Sequence, residues 1–169
     1  ILYTAVHVSM VTFDDKQMVS FSSEQMFDLV SAVEQYPEFL PGWRHTRVLE
    51  RNGNISRVEQ ELSWNSLHMR FISRVTYTRP SRIVITSAEA PFRQLNIRWL
   101  FEPPYTTPDP AMDTMCCVIR LQIGFDLRST VLRHTLKPII RGRLRGIVSA
   151  FEERFAQYME VPYCVGLTS

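Results

Sequence analysis

Leu95-Asn96-Ile97-Arg98-Trp99-Leu100-Phe101-Glu102 places Leu95, Ile97, Trp99 and Phe101 on one side of an extended chain and Asn96, Arg98 and Glu102 on the other. Successive strand side chains point to opposite faces, so this spacing predicts a strand with one face buried. The same period of two holds around it, from about Arg44 to Asp126. Upstream, Val58, Leu62 and Trp64 oppose Arg57, Glu59, Glu61 and Ser63, with Gln60 a polar residue on the apolar side. Glu59 and Glu61 are therefore expected on a solvated face. Leu67, Met69, Phe71, Val75 and Tyr77 oppose His68, Arg70 and Arg74. Downstream, Cys117, Ile119, Leu121, Ile123 and Phe125 alternate with Arg120, Gln122 and Asp126. One apolar and one polar face per strand is the pattern of an antiparallel sheet. Asn52-Gly53-Asn54 is a hairpin signal and Arg79-Pro80-Ser81 a second turn. Pro103, Pro104, Pro108 and Pro110 predict a loop over 103–113, because proline cannot sit inside a ladder.

Helical periods flank this β region. Thr12 to Val19 is expected as a first strand. Ser22, followed three residues later by Gln25, is a capping box, and Met26, Phe27, Val30 and Val33 recur at helical spacing, predicting a helix over about 23–33. Pro37 and Pro41 bracket a short turn or second helix that Gly42 ends. At the other end, Ser129 or Thr130 can cap a helix in which Leu132, Leu136, Ile140, Leu144, Ile147, Phe151, Phe155 and Tyr158 step by three or four. Pro138 is expected to kink or restart it. The order is strand, helix, turn, about six strands, long helix, which defines an α+β fold. Residues 1–11 read as an N-terminal extension, 12–162 as the domain and 163–169 as a tail.

A chain of 169 residues is enough for one domain with a sizeable core. No apolar run approaches the roughly 18 residues of a membrane-spanning helix. The net charge of +2 hides 17 arginines against two lysines, Lys16 and Lys137. Arg128, Arg133, Lys137, Arg141, Arg143 and Arg145 follow one another with no acid between them. Such a stretch fits a solvated helix face, anionic lipid headgroups or RNA phosphate. The three cysteines lack metal-ligand spacing, and an odd count without a framework points to a reducing compartment. The histidines are scattered. No metal motif, nucleophile elbow, phosphate loop or dinucleotide fingerprint is legible, so a non-enzymatic role is expected. A twisted sheet of about seven strands curls, and one helix laid on its concave side need not fill the space. The inward residues suit a hydrophobic ligand and equally suit a closed core.

Three segments resemble a known family. Residues 24–43 hold a helix followed by Tyr36-Pro37-Glu38-Phe39-Leu40-Pro41-Gly42-Trp43. Pro91-Phe92-Arg93-Gln94-Leu95 precedes Trp99 and Phe101, and Ala150-Phe151-Glu152-Glu153-Arg154-Phe155-Ala156 lies in the last helix. Together they resemble the coenzyme Q-binding proteins of the polyketide cyclase-like branch of the START lipid-transfer superfamily, and also the bacterial ribosome-association toxins. The resemblance implies the helix-grip fold, with the sheet wrapped around the long C-terminal helix. It implies ubiquinone or a similar polyprenyl lipid as a bound ligand, with no metal and no catalysis, in a chaperone supporting respiration. It places such a protein against a membrane surface, at the matrix side of the mitochondrial inner membrane. On that basis Tyr36, Phe39, Leu40, Pro41 and Trp43 form the lip of a tunnel, and Phe71, Phe92, Leu95, Trp99, Phe101, Phe151 and Phe155 its walls. The basic stretch and the Pro-rich loop fit an alternative: an interaction subunit of a mitochondrial ribosome or respiratory complex, with a vestigial cavity.

Overall fold

The structure is a computed structural model, and it describes residues 10–64, 67–104 and 115–157. Strand β1 (Val11–Val19) leads into α1 (Ser23–Ser31), a 3-10 turn (Val33–Gln35) and the short α2 (Tyr36–Phe39). Six strands follow: β2 (Trp43–Asn52), β3 (Ile55–Trp64), β4 (Leu67–Thr78), β5 (Arg82–Ser87), β6 (Phe92–Glu102) and β7 (Cys117–Leu127). Helix α3 (Thr130–Ala156) ends the described chain. All strands join one antiparallel sheet in the order β1-β7-β6-β5-β4-β3-β2, so each hairpin neighbour in sequence is a neighbour in space from β2 to β7. The curved antiparallel sheet and long C-terminal helix form the α+β arrangement that the alternation predicts, and match the helix-grip fold that the resemblance implies.

Local chemistry accounts for the element ends. The Ser22 hydroxyl accepts from the Gln25 N–H and the Gln25 side chain accepts from the Ser22 N–H, closing the capping box. Gly53, at φ +58°, supplies the left-handed residue that the two-residue β2–β3 turn needs. Ser129 caps α3 by accepting from the Leu132 N–H.

One face of the sheet is apolar along its whole width, and Val58, Val75, Ile83, Ile119, Leu121 and Phe125 on it are almost fully buried. Leu136, Leu144, Val148 and Phe151 of α3 pack against that face. Helix α1 buries Met26, Phe27, Leu29 and Val30, and Phe27 meets Tyr77 and Phe101 edge to face.

Several expectations are corrected. The first helix stops at Ser31 and continues as the 3-10 turn and α2 rather than running to Val33. Pro138 neither ends nor restarts α3; it lies on the exposed side, where the carbonyl it frees can meet water. Glu59 is buried, not solvated. Pairing sets Arg47 directly opposite it, and its carboxylate lies 2.9 Å from the Arg70 guanidinium and 3.8 Å from that of Arg47. Cys116 is disulfide-bonded, contrary to a reading without any framework, whereas Cys117 is buried and free. Val11 belongs to β1, opposite Phe125, rather than to an extension. The rest of the extension up to residue 9, the tail, Tyr158 and the loop prolines Pro108 and Pro110 lie outside the described residues.

Candidate functional site

Two small apolar chambers adjoin between the sheet and α3. The larger, about 80 Å³, is walled by Leu62 and Trp64 of β3, Met69 and Phe71 of β4, Phe92 and Leu95 of β6 and Phe125 of β7; Ile140 and Arg143 of α3 complete it. The smaller, about 50 Å³, lies toward α2 among Tyr36, Leu40, Ile85, Trp99, Leu121 and Phe151. Trp43, Gln60, Ile97, Ile123 and Ile147 line both and form the partition. Pockets that enclose drug-sized ligands measure roughly 300–1,000 Å³. The gap between sheet and helix therefore exists, but a lipid-sized guest has to displace α3 or the partition. Two wider depressions of about 490 Å³ each lie over the polar outer face of the sheet, near Asn96 and Arg98 and near Arg74 and Thr86.

The polar groups at the chambers are few and oriented. The Trp43 indole N–H donates to Gln60 Oε1 at 3.0 Å; Gln60 Nε2 donates to Ser73 Oγ at 3.3 Å, and that hydroxyl donates to the Val58 carbonyl. An amide offers two N–H donors and two acceptor lone pairs, so Gln60 keeps one of each uncommitted among the described residues. A register shift between Trp43 and His45 marks a bulge in β2 beside this indole. The Trp64 indole N–H donates to the Pro41 carbonyl, and its ring lies against Gly42, whose φ of +90° no ordinary side chain adopts readily. Tyr36 is buried, its hydroxyl donates to the Val30 carbonyl, and burial raises its pKa far above the usual phenol range. Arg143 supplies the charge at the larger chamber.

Of the residues expected to form lip and walls, Tyr36, Leu40, Trp43, Phe71, Phe92, Leu95, Trp99 and Phe151 come together around the chambers. The other four lie elsewhere. Phe39 packs outside them on Phe151 beneath the Arg154 guanidinium. Pro41 is exposed, Phe101 is core between Phe27 and Trp99, and Phe155 meets Phe21 edge to face. Gln60, Ile97, Ile123 and Ile147 were not among the expected wall residues. The signal for Gln60 was present, as a polar side chain on an apolar strand face.

The basic stretch divides in two. Arg128 donates to the Phe92 and Ala88 carbonyls, and Arg133 is ion-paired with buried Asp126 at 2.7 Å, so both hold the start of α3 to the sheet. Lys137, Arg141, Arg143 and Arg145 are exposed, with Arg141 over the Phe13 ring.

Comparison with known proteins agrees with this architecture. The ribosome association toxin RatA of Vibrio cholerae is 30% identical over 140 residues, which cover 83% of this chain and 92% of that one. The mitochondrial coenzyme Q-binding protein COQ10 homolog B of Xenopus laevis is 23% identical over 85% of this chain and 57% of its own. The START superfamily protein from Mycobacterium smegmatis superposes with a TM-score of 0.73 at 18% identity, over 88% of this chain and 99% of that one. The family model described as polyketide cyclase / dehydrase and lipid transport matches residues 19–152. With the helix-grip architecture and an apolar gap beneath its long helix, the chain belongs to the polyketide cyclase / dehydrase and lipid transport family.

Proposed function

We propose that this protein binds ubiquinone or a similar polyprenyl lipid between its sheet and α3 and carries it as a chaperone, without transforming it, at the matrix face of the mitochondrial inner membrane. The observation that carries this reading is the pair of adjoining apolar chambers with Gln60 in their partition. A flat ring entering there meets the aromatic walls, and a ring carbonyl can accept from the uncommitted Gln60 N–H. The polar side chains at the chambers fit holding better than chemistry. An amide does not titrate, and burial keeps the Tyr36 phenol neutral.

Because the chambers are small, loading involves movement of α3 away from the sheet. The purified protein is expected to yield a polyprenyl quinone on extraction with organic solvent, and added quinone is expected to raise its melting temperature. A lipid-free protein whose melting temperature ignores added quinone would refute the carrier role.

A second reading is favoured by a separate observation. The relatives named ribosome association toxins align over nearly their whole length, and α3 carries exposed arginines. In that reading the domain is an interaction subunit of a ribosome or respiratory complex. Co-sedimentation with ribosomes that weakens steeply with salt supports it; a monomer unaffected by ribosomes at low salt counts against it.

A further inference from the structure

Residue 143 flanks the apolar stripe of its helix. It lies three residues after Ile140 and four before Ile147, so helical geometry puts all three on one stripe. All three line the larger chamber. A guanidinium thus stands at the edge of the helix's buried stripe, which runs through Leu136, Leu144, Val148 and Phe151. Arg143 is nevertheless exposed while lining the chamber, and a long basic side chain so placed can lay its methylenes along an apolar wall and keep its charge at the rim.

Three other arginines of α3 are committed, Arg133 to Asp126, Arg154 to Glu38 and Arg141 to the face of Phe13, whereas Arg145 is exposed and does not line the chamber. Arg143 makes no hydrogen bond or ion pair among the described residues. Neither Lys137, Arg141 nor Arg145 neutralises it, and no acid lies between Arg128 and Arg145.

We infer that Arg143 is a head-group residue, and that the gap prefers amphiphiles whose apolar tail ends in an anion, a carboxylate or a phosphate monoester. This rests on the reading of the interior as a lipid site and adds the chemistry of the head. A neutral ring can use Gln60; an anionic head adds a two-pronged, charge-assisted pair with the guanidinium at the mouth. Once α3 has moved, the tail lies in the widened gap and the head stays at the rim, where the charge is not fully desolvated.

One tail with three heads tests this. Decanoate, decyl phosphate and decanol are titrated below their micellar concentrations. Tryptophan fluorescence is the readout, since Trp43 and Trp64 line the chamber. Both anions are expected to bind up to about fivefold more tightly than decanol, the upper end of what one exposed charge pair contributes. Comparing the two anions tells a carboxylate site from a phosphate site. Arg143→Gln is expected to bring both to the level of decanol, Arg143→Lys to keep part of the preference, and Arg145→Gln to keep all of it. Equal binding of decanol and the anions by the unaltered protein overturns the inference and leaves the lipid site standing. Loss of the preference in Arg145→Gln as complete as in Arg143→Gln also overturns it, since the effect then belongs to the whole basic helix. Binding of none of the three overturns the lipid site as well.

Discussion

Gly42 joins the backbone to the cavity wall. A Cβ built there would meet Trp64 Nε1 at 2.0 Å, and its φ of +90° is strained for any other residue. Gly42→Ala therefore has to move the Trp64 ring, which walls the larger chamber and donates to the Pro41 carbonyl. The backbone strain alone is worth about 1–3 kcal/mol. We expect a loss of roughly 2–4 kcal/mol in denaturant unfolding, with a shifted tryptophan emission that reports the displaced ring. A variant as stable as the parent, with unchanged emission, would show that the turn has another solution. The sequence placed a glycine at the end of this turn but not the indole above it, because that contact joins residues about twenty positions apart. Glu59 illustrates the same limit. Its own strand reads as solvated on that face, yet Arg47 and Arg70 reach it from the two neighbouring strands. Gln60 is the opposite case, since its exception to the alternation was visible and the structure shows a hydrogen-bonded partner for it in Trp43.

Among the elements, the sheet was legible from alternation alone, because one face is buried along every long strand and a slip by one residue would expose it. What alternation could not show is how α3 is held to the sheet. Asp126, with its side chain 5% exposed, bridges Arg133 of α3 and Arg93 of β6. Removing one partner of a buried pair leaves the other uncompensated, a loss of about 3–5 kcal/mol when both are fully buried. Arg93 is largely exposed, so we expect roughly 2–3 kcal/mol for Asp126→Asn, with faster amide exchange in the first two turns of α3. Unchanged exchange there would mean that Ser129 and Leu136 suffice to hold the helix.

The far end of α3 carries a pH dependence. Burial raises the pKa of Glu152; repulsion by Glu153 adds to this, and the hydrogen bond donated by Gln17 opposes it. A carboxyl whose pKa is higher in the folded than in the unfolded state favours folding when protonated and weighs against it when ionised. That handicap is therefore present at neutral pH and fades as pH falls through the raised folded value. Glu152→Gln keeps an acceptor for Gln17 and is expected to melt higher than the parent near about pH 7.5, with the gain vanishing near about pH 4, where both carry a neutral side chain. A gain of the same size at both pH values would assign the effect to packing instead.

At the scale of the whole molecule, the helix that closes the cavity also carries the exposed basic groups. Lys137, Arg141 and Arg145 lie on the same stretch of α3 as Ile140 and Arg143, which line the larger chamber. If anionic headgroups hold this surface, they hold the element that must move for a tail to pass, so membrane contact and ligand transfer share one lever. Basic residues near an anionic surface contribute about 1 kcal/mol each. Replacing Lys137, Arg141 and Arg145 together by glutamine is then expected to weaken binding to vesicles rich in anionic lipid by about 3 kcal/mol, roughly a hundredfold, in co-sedimentation at low salt. Part of the Arg141 charge is already engaged over Phe13, so the loss should fall at or just below that figure. The difference between variant and parent should shrink as salt shortens the screening length, and neither should bind vesicles of neutral lipid. Transfer of a fluorescent lipid from anionic vesicles should slow in the same proportion. Slower transfer without weaker vesicle binding would place the basic residues in ligand exit rather than in docking. Weaker binding with unchanged transfer would separate the membrane surface from the cavity altogether.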